Sequence, residues 1–210
     1  MDKTTKPRFV LFTPEITDAT TFAATLTAMC RAADVAAVVL RLAPANDAEQ
    51  LARIEILAPA AHGIDAALLL AGHTHLVASA GADGAFVQGV GAIPAARSAV
   101  KNDHIVGVGR LDTRHDSMTA AESGADFVLF GDTNAEGERS TMPSLIERVS
   151  WWAELFVVPC VAVASQPEEI NPLVRAGADF IALGDEFVRT TSDPAQAVAA
   201  ANAQLVVEPV

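Results

Sequence analysis

A short motif that recurs along the chain limits the folds open to it more than any other feature of the sequence. The motif reads Gly-Ala-Asp followed by Gly or Phe, and it begins at Gly81, Gly124 and Gly177. A degenerate copy lies at Ala33-Asp34-Val35. Each copy follows a stretch of helical periodicity and precedes an apolar run. A glycine in the left-handed conformation ends a helix, Ala and Asp form a tight turn, and the apolar run begins a buried strand. The repeated unit is therefore helix, turn and strand.

Extending this unit along the chain predicts eight strands that alternate with helices. The predicted strands lie near residues 9–13, 37–41, 67–70, 85–87, 105–108, 127–130, 160–163 and 180–183. The predicted helices lie near residues 21–32, 48–61, 75–80, 94–101, 117–123, 144–156, 168–176 and 194–205. Short connections between alternating elements favour right-handed parallel crossovers, and eight of them close a barrel. We therefore predict an α/β fold, a single (β/α)8 TIM-barrel domain over residues 1–210, with an open doubly wound sheet as the alternative.

Local signals add detail to this outline. Three helix starts carry capping patterns, which are Asn46 with Glu49, Ser165 with Glu168, and Asp193 followed by Pro194. Residues 132–141 form the one long polar connection, so we predict a mobile loop over the mouth of the barrel.

Charge and apolar content argue against several classes of partner. The 210 residues carry a formal net charge of −12, which repels polyanions, so nucleic acid is not an expected partner. The apolar stretch near the N-terminus is too short for a signal sequence, and no apolar run approaches a membrane span. We therefore expect no membrane partner and a cytoplasmic location. Cys30 and Cys160 lack metal-type spacing and are interpreted as inert core thiols.

Residues that follow the strands build the site of a barrel of this kind. The sequence places there a set of mixed charge: Thr13, Glu15, Arg41, Gly72, His73, His75, Gln88, Gly109, Arg110, Asp112, Asp132, Arg139, Ser165, Gln166, Gly184, Asp185 and Glu186.

Several segments, taken in order, resemble the thiamine phosphate synthase family over nearly the whole chain. They are Val39-Leu40-Arg41, the repeat motifs, Val106-Gly107-Val108, Val158-Pro159-Cys160 and Asp193-Pro194. That family of thiamine biosynthesis joins a pyrimidine methyl pyrophosphate to a thiazole phosphate, with Mg²⁺ assisting the departure of pyrophosphate. The resemblance implies a small-molecule ligand and, in an active enzyme, Mg²⁺. It makes Arg41 and Arg139 the catalytic candidates, and the phosphate-binding candidates are Arg41, Arg110, Ser165 and Gly184.

Departures from the family pattern keep a second interpretation open. The family's Asn-Asp pair after the third strand is Ala71-Gly72, and its Asp after the fourth strand is Gly91, so two metal carboxylates are missing. Asp185 and Glu186 replace small residues whose amides would hold a phosphate. The alternative is a non-catalytic or re-purposed barrel that binds a small cationic or neutral ligand. Its pocket candidates are His73, His75, Asp132, Gln166 and Asp185.

Two further features allow more than one interpretation. His73 and His75 suggest a metal site, and with it a divergent metal hydrolase, but two histidines two positions apart are weak evidence. We therefore assign no metal ligand and favour helix capping or solvent exposure for this pair. On the sixth helix, Trp151 and Trp152 predict one ring packed on the barrel and one exposed ring. The exposed ring forms either a homodimer contact or part of a satellite core.

Overall fold

The computed structural model describes residues 7–101, 103–134, 136–184, 186–189 and 191–205. Its strands are β1 (Arg8–Ile16), β2 (Val35–Leu42), β3 (Ala67–Ala71), β4 (Gly84–Gln88), β5 (Ile105–Gly109), β6 (Phe127–Phe130), β7 (Cys160–Ala164) and β8 (Phe180–Leu183). Each strand pairs with the next, and β1 pairs in parallel with β8, so the sheet closes. The predicted TIM barrel is thereby confirmed, and the open sheet is excluded.

Helices cover the outside of the barrel. They are α1 (Ala19–Arg31), α2 (Asp47–His62), α3 (Val77–Ala80), α4 (Ile93–Ala99), α5 (Arg114–Glu122), α6 (Met142–Leu155), α7 (Ile170–Arg175), α8 (Glu186–Arg189) and α9 (Pro194–Gln204). The helix α5 begins earlier than predicted, because Thr113 and Asp116 form a reciprocal capping box at its start. The unpredicted α8 is too short for periodicity to reveal. Within the described ranges, none of the helices is both long and apolar enough to cross a membrane.

Two of the three predicted caps are confirmed. Asn46 accepts the N–H of Glu49 at 3.0 Å, and Asp193 accepts the N–H of Gln196 at 3.0 Å. The cap at Ser165 is wrong, because the helical turn Pro167–Glu169 follows Gln166 and has no side-chain cap.

The aspartates of the repeat tie neighbouring strands together at their amino ends. The N–H of Leu68 donates to Asp83 at 2.7 Å, that of Val106 to Asp126 at 2.7 Å, and that of Cys160 to Asp179 at 2.8 Å. Each aspartate N–H donates back to the carbonyl of the same partner. In the degenerate copy, the side chain of Asp34 instead accepts a hydrogen bond from the Arg8 guanidinium at 2.8 Å. The repeat therefore stabilises the face of the barrel opposite the expected site.

The interior of the barrel holds a small apolar cluster, separate from the larger core between strands and helices. Its buried members are Val10, Ala37, Val39, Leu69, Phe86, Leu129, Val161 and Ala182. On β5, a Cβ at Gly107 would overlap the ring of Phe127, so only glycine leaves room for that ring. Phe127 in turn stacks on Phe86, with ring centroids 6.3 Å apart.

The two tryptophans of α6 differ in burial. Trp152 is fully buried and its indole N–H donates to the carbonyl of Val158 at 2.7 Å. Trp151 is partly buried, and the Arg114 guanidinium lies 4.8 Å from its ring centroid. Trp152 thus packs inside as predicted, but the prediction of an exposed second ring is wrong, because Trp151 packs against the core. The homodimer contact stays a prediction.

Candidate functional site

A cavity of about 630 Å³ opens at the carboxyl ends of the strands, the face at which TIM barrels place their active sites. Five of the residues predicted to catalyse the reaction, bind phosphate or line the ligand pocket contribute to its wall, namely Arg41, Asp132, Arg139, Ser165 and Gly184. Glu15, Gly72 and Gln88, from the wider set predicted to follow the strands, also line it. Arg110, His73, His75 and Gln166 are described by the structure but lie outside this wall. The remaining candidate, Asp185, lies outside the described residues.

The ends of β1 and β2 place a cation beside a carboxylate. Strand β1 bulges between Phe12 and Glu15, which brings Glu15 opposite Arg41 in the register. The hydroxyl of Thr13, which is fully buried, accepts the backbone N–H of Arg41 at 3.0 Å. Both Glu15 and Arg41 line the cavity. The planar guanidinium of arginine is well suited to binding phosphate oxygens in pairs.

Aromatic rings form an apolar part of the wall. Phe12 and Phe86 line the cavity and meet edge to face, with centroids 5.1 Å apart. On β5, a Cβ at Gly109 would lie 2.7 Å from Phe86 Cζ and 2.6 Å from Asp132 Oδ2. Glycine at this position therefore makes room for a phenylalanine and a carboxylate together. A pocket with aromatic walls and a few polar groups suits a planar ligand ring.

Asp132 is a carboxylic acid held partly out of water. Its Oδ2 accepts the backbone N–H of Arg110 at 2.6 Å. Burial raises the pKa of Asp132, the Arg110 hydrogen bond opposes that shift, and the charge of Asp112 adds to it. Arg110 adopts a left-handed φ of 53° and its side chain is exposed. Arg110 thus acts on the cavity through its backbone, and a phosphate contact of its side chain stays a prediction.

Arg139 is engaged by protein groups from several directions. Its guanidinium binds Glu169 through two hydrogen bonds of 2.9 Å, and it also donates to the carbonyls of Gly131 at 3.0 Å and Val163 at 2.6 Å. A guanidinium has five N–H donors, so these four bonds leave little capacity for a ligand. The Arg139 and Glu169 side chains are only 23% and 15% exposed. Within the loop predicted for residues 132–141, Arg139 is anchored by these contacts to the ends of β6 and β7. The mobility of the loop stays a prediction.

Glu169 also binds the first backbone amide after β7. The N–H of Ser165 donates to Glu169 Oε2 at 2.8 Å. Burial alone would raise the pKa of Glu169, but hydrogen bonds from Arg139 and from the Ser165 amide outweigh it and leave the pKa below its usual value. The group is therefore a fixed carboxylate at neutral pH. Glu169 was not among the predicted site residues. In the sequence it is marked only as an acidic residue four positions after Ser165.

The two histidines that suggested a metal lie apart from the cavity wall. His75 Nε2 lies 3.1 Å from Asp47 Oδ1 at the start of α2, and both side chains are exposed. Burial, and then the charge of His75, lower the pKa of His73. Among the residues that the structure describes, no three His, Cys, Asp or Glu side chains come together as a metal cluster. The helical turn Thr74–Leu76 has no side-chain cap, so helix capping does not explain the pair, whereas the exposed His75 fits the solvent-exposure interpretation.

The donors around the cavity do not fit the Mg²⁺ that the family implies. Magnesium prefers an octahedron of oxygen ligands, usually with one or two carboxylates and substrate phosphates. At the ends of β3 and β4 the described chain offers Ala71, Gly72 and Gly91 instead of carboxylates. The two acids of the wall, Glu15 and Asp132, come from β1 and from the end of β6, which are not neighbours in the barrel.

Comparisons with known proteins give one consistent result. The family model described as thiamine monophosphate synthase matches residues 9–187. The thiamine-phosphate synthase of Rhodospirillum centenum is 41% identical over 197 residues, which is 91% of this chain and 94% of that protein. The thiamine-phosphate synthase of Hyphomonas neptunium is 32% identical over 219 residues, covering 97% of both chains.

Solved structures agree on the fold. A thiamine phosphate pyrophosphorylase from Pyrococcus furiosus superposes with a TM-score of 0.79 at 16% identity, covering 96% of each chain. The 3-hexulose-6-phosphate synthase of Salmonella typhimurium superposes with a TM-score of 0.72 at 17% identity, covering 94% of this chain and 98% of that one. At such identities, the likeness shows the shared barrel alone.

Proposed function

Because the chain belongs to the thiamine monophosphate synthase family, we propose that it transfers a pyrimidine methyl group from its pyrophosphate to the nitrogen of a thiazole. The observation that carries this proposal is the cavity at the carboxyl ends of the strands, which Arg41 lines together with Phe12 and Phe86. Such a cavity offers a cation for a pyrophosphate and aromatic faces for a planar ring. The reaction belongs to thiamine biosynthesis, and we place it in the cytoplasm with small molecules as its partners.

The residues of the wall would contribute in different ways. The C–O bond to pyrophosphate breaks, pyrophosphate keeps the electron pair, and the thiazole nitrogen forms the new C–N bond with its lone pair. Arg41 would bind the departing pyrophosphate by charge-assisted hydrogen bonds. The rings of Phe12 and Phe86 would exclude water and stabilise the positive charge that develops on the pyrimidine. Mg²⁺ neutralises the leaving group in the family's reaction, and the described donors of the cavity do not build a site for it on their own.

The test is the release of pyrophosphate by the purified protein supplied with hydroxymethylpyrimidine pyrophosphate, Mg²⁺ and both thiazole phosphate and the unphosphorylated thiazole alcohol. We expect release that depends on an acceptor and falls at least about tenfold in Arg41→Ala, because one charge-assisted contact is lost. Arg31→Ala is the matched control, since Arg31 is an exposed arginine at the end of α1, away from the cavity. Acceptor-dependent release that is equal in all three proteins would remove Arg41 from the reaction, and no release with either acceptor would reject the activity.

Glu169 favours a second candidate, a re-purposed barrel that binds a small cationic or neutral ligand without chemistry. The Glu169 carboxylate accepts the backbone N–H of Ser165, which could otherwise donate to an anionic ligand. This end of the cavity is therefore suited to groups that are not anionic. Thermal unfolding with and without thiamine, a cationic probe, separates the candidates. A rise in Tm with thiamine, together with no pyrophosphate release, would support the second candidate over the first.

A further inference from the structure

The end of β7 is the place at which TIM barrels commonly bind a phosphate, together with the end of β8. Backbone N–H groups of small residues usually supply the donors. In this chain the N–H of Ser165, the first residue after β7, is already bound to Glu169 Oε2 at 2.8 Å. The Glu169 carboxylate thus accepts a backbone N–H that a bound phosphate would need as a donor.

Several contacts hold Glu169 in this position. Both carboxylate oxygens bind the Arg139 guanidinium at 2.9 Å. Arg139 is itself fixed by the carbonyls of Gly131 and Val163, so the pair is attached to the ends of β6 and β7. Swinging the carboxylate out would break three hydrogen bonds and leave the mostly buried guanidinium without its counter-charge.

A phosphate at the Ser165 amide would meet a fixed negative charge at close range. Like charges a few ångströms apart in a partly buried site repel strongly, whereas a neutral hydroxyl can donate a hydrogen bond to a carboxylate oxygen. The neighbouring cation, Arg139, does not offset this repulsion, because protein groups already engage four of its donors. The electrostatics of this end of the cavity therefore favour an uncharged group.

We propose that Glu169 excludes phosphate from the β7 end of the cavity, so that the acceptor thiazole carries a free hydroxyl there instead of a phosphate. This inference rests on the proposed transfer reaction and specifies its substrate class. The product would be the unphosphorylated thiazolium compound. Among the described residues, Arg41 would bind the pyrophosphate of the donor, and no phosphate would bind beside Ser165.

Isothermal titration calorimetry tests the inference without any turnover. The thiazole alcohol, thiazole phosphate and inorganic phosphate are titrated into the parent protein, Glu169→Gln and Glu168→Gln. The parent should bind the alcohol at least about tenfold more tightly than the phosphate ester, since one like charge must be accommodated. Glu169→Gln should tighten binding of thiazole phosphate by a similar factor, because the repulsion is lost and Arg139 gains free donors. Glu168→Gln removes a neighbouring exposed carboxylate and should change neither affinity.

The parent protein alone can overturn the proposal. Equal or tighter binding of thiazole phosphate than of the alcohol would contradict it, and so would failure of the alcohol to bind. An unchanged preference in a folded Glu169→Gln would show that another group discriminates. These titrations contain no pyrimidine pyrophosphate, so they test binding independently of the transfer reaction. If the protein prefers the alcohol here but releases no pyrophosphate in the activity assay, the transfer reaction is refuted and the exclusion of phosphate still holds.

Discussion

Replacing Arg139 by alanine should lower the free energy of unfolding by about 3 kcal/mol, the low end of the cost of breaking a buried ion pair. The change removes two hydrogen bonds to Glu169 and one each to the carbonyls of Gly131 and Val163. It also leaves a carboxylate that is only 15% exposed without its counter-charge. We take the low end of the range because water entering the cavity can solvate part of what is lost.

The effect should depend on pH in a direction set by Glu169. Its pKa in the folded protein lies below its ordinary value, despite the opposing effect of burial, because Arg139 and the Ser165 amide stabilise the charged form. This contribution to stability is complete above the unfolded pKa and is lost as pH falls through the lowered folded pKa. The difference between the parent and Arg139→Ala should therefore be largest near neutral pH and should shrink below about pH 4.

Urea denaturation followed by circular dichroism measures both quantities. Arg139→Lys is the informative control, because lysine keeps the charge but cannot donate to two carbonyls and both carboxylate oxygens at once. We expect it to recover less than half of the lost stability. A change of less than about 0.5 kcal/mol in Arg139→Ala, the typical range for an exposed surface substitution, would refute the structural role. Arg139 would then be a solvated loop residue or a free ligand-binding cation, as the sequence alone suggested.

Three further changes test other parts of the fold and site. Gly107→Ala should destabilise the barrel by about 3 kcal/mol in thermal or urea unfolding, since its Cβ would overlap the Phe127 ring. Asp126→Ala should lower the free energy of unfolding by about 2 kcal/mol in the same measurement, because the N–H of Val106 loses its charged acceptor. An unchanged midpoint would show that the aspartate of the repeat does not stabilise the barrel. Asp132→Asn should stabilise the protein at neutral pH, because burial raises the pKa of Asp132 and ionisation is then costly in the folded state. That gain should disappear below about pH 4, where the acid is protonated in both states, and equal stability at pH 7 would contradict the raised pKa.

The fold followed from the sequence because its strongest signal was periodic and local. The repeat that begins at Gly81, Gly124 and Gly177 marks the same helix-to-strand turn each time, and those turns fix where strands start. Its aspartates brace adjacent strands by accepting backbone N–H groups 15 to 20 positions earlier in the chain, a contact that the motif alone did not reveal. Helix starts were less accurate where a reciprocal cap decides them, as at Thr113 before α5.

The site was predicted only in outline. Arg41 and Asp132 were placed at the cavity because Arg41 lies near the end of β2 and Asp132 lies just beyond β6, and the cavity lies where strands end. The partnership of Arg139 with Glu169 could not be read in this way, since it joins a loop to the helical turn Pro167–Glu169, 30 positions further along the chain. The sequence showed an arginine in a polar loop and an acid near a helix start, but charge pairing across loops depends on the closed barrel that brings them together.

The most direct test of this account is a single-turnover reaction with protein in excess over hydroxymethylpyrimidine pyrophosphate, offered equal amounts of thiazole alcohol and thiazole phosphate. Mass spectrometry of the products identifies which acceptor has been alkylated, and the pyrophosphate formed is counted alongside. We predict one pyrophosphate per product, with thiamine exceeding thiamine phosphate. Intact donor after prolonged incubation would contradict the transfer reaction, and thiamine phosphate as the main product would contradict the role given to Glu169.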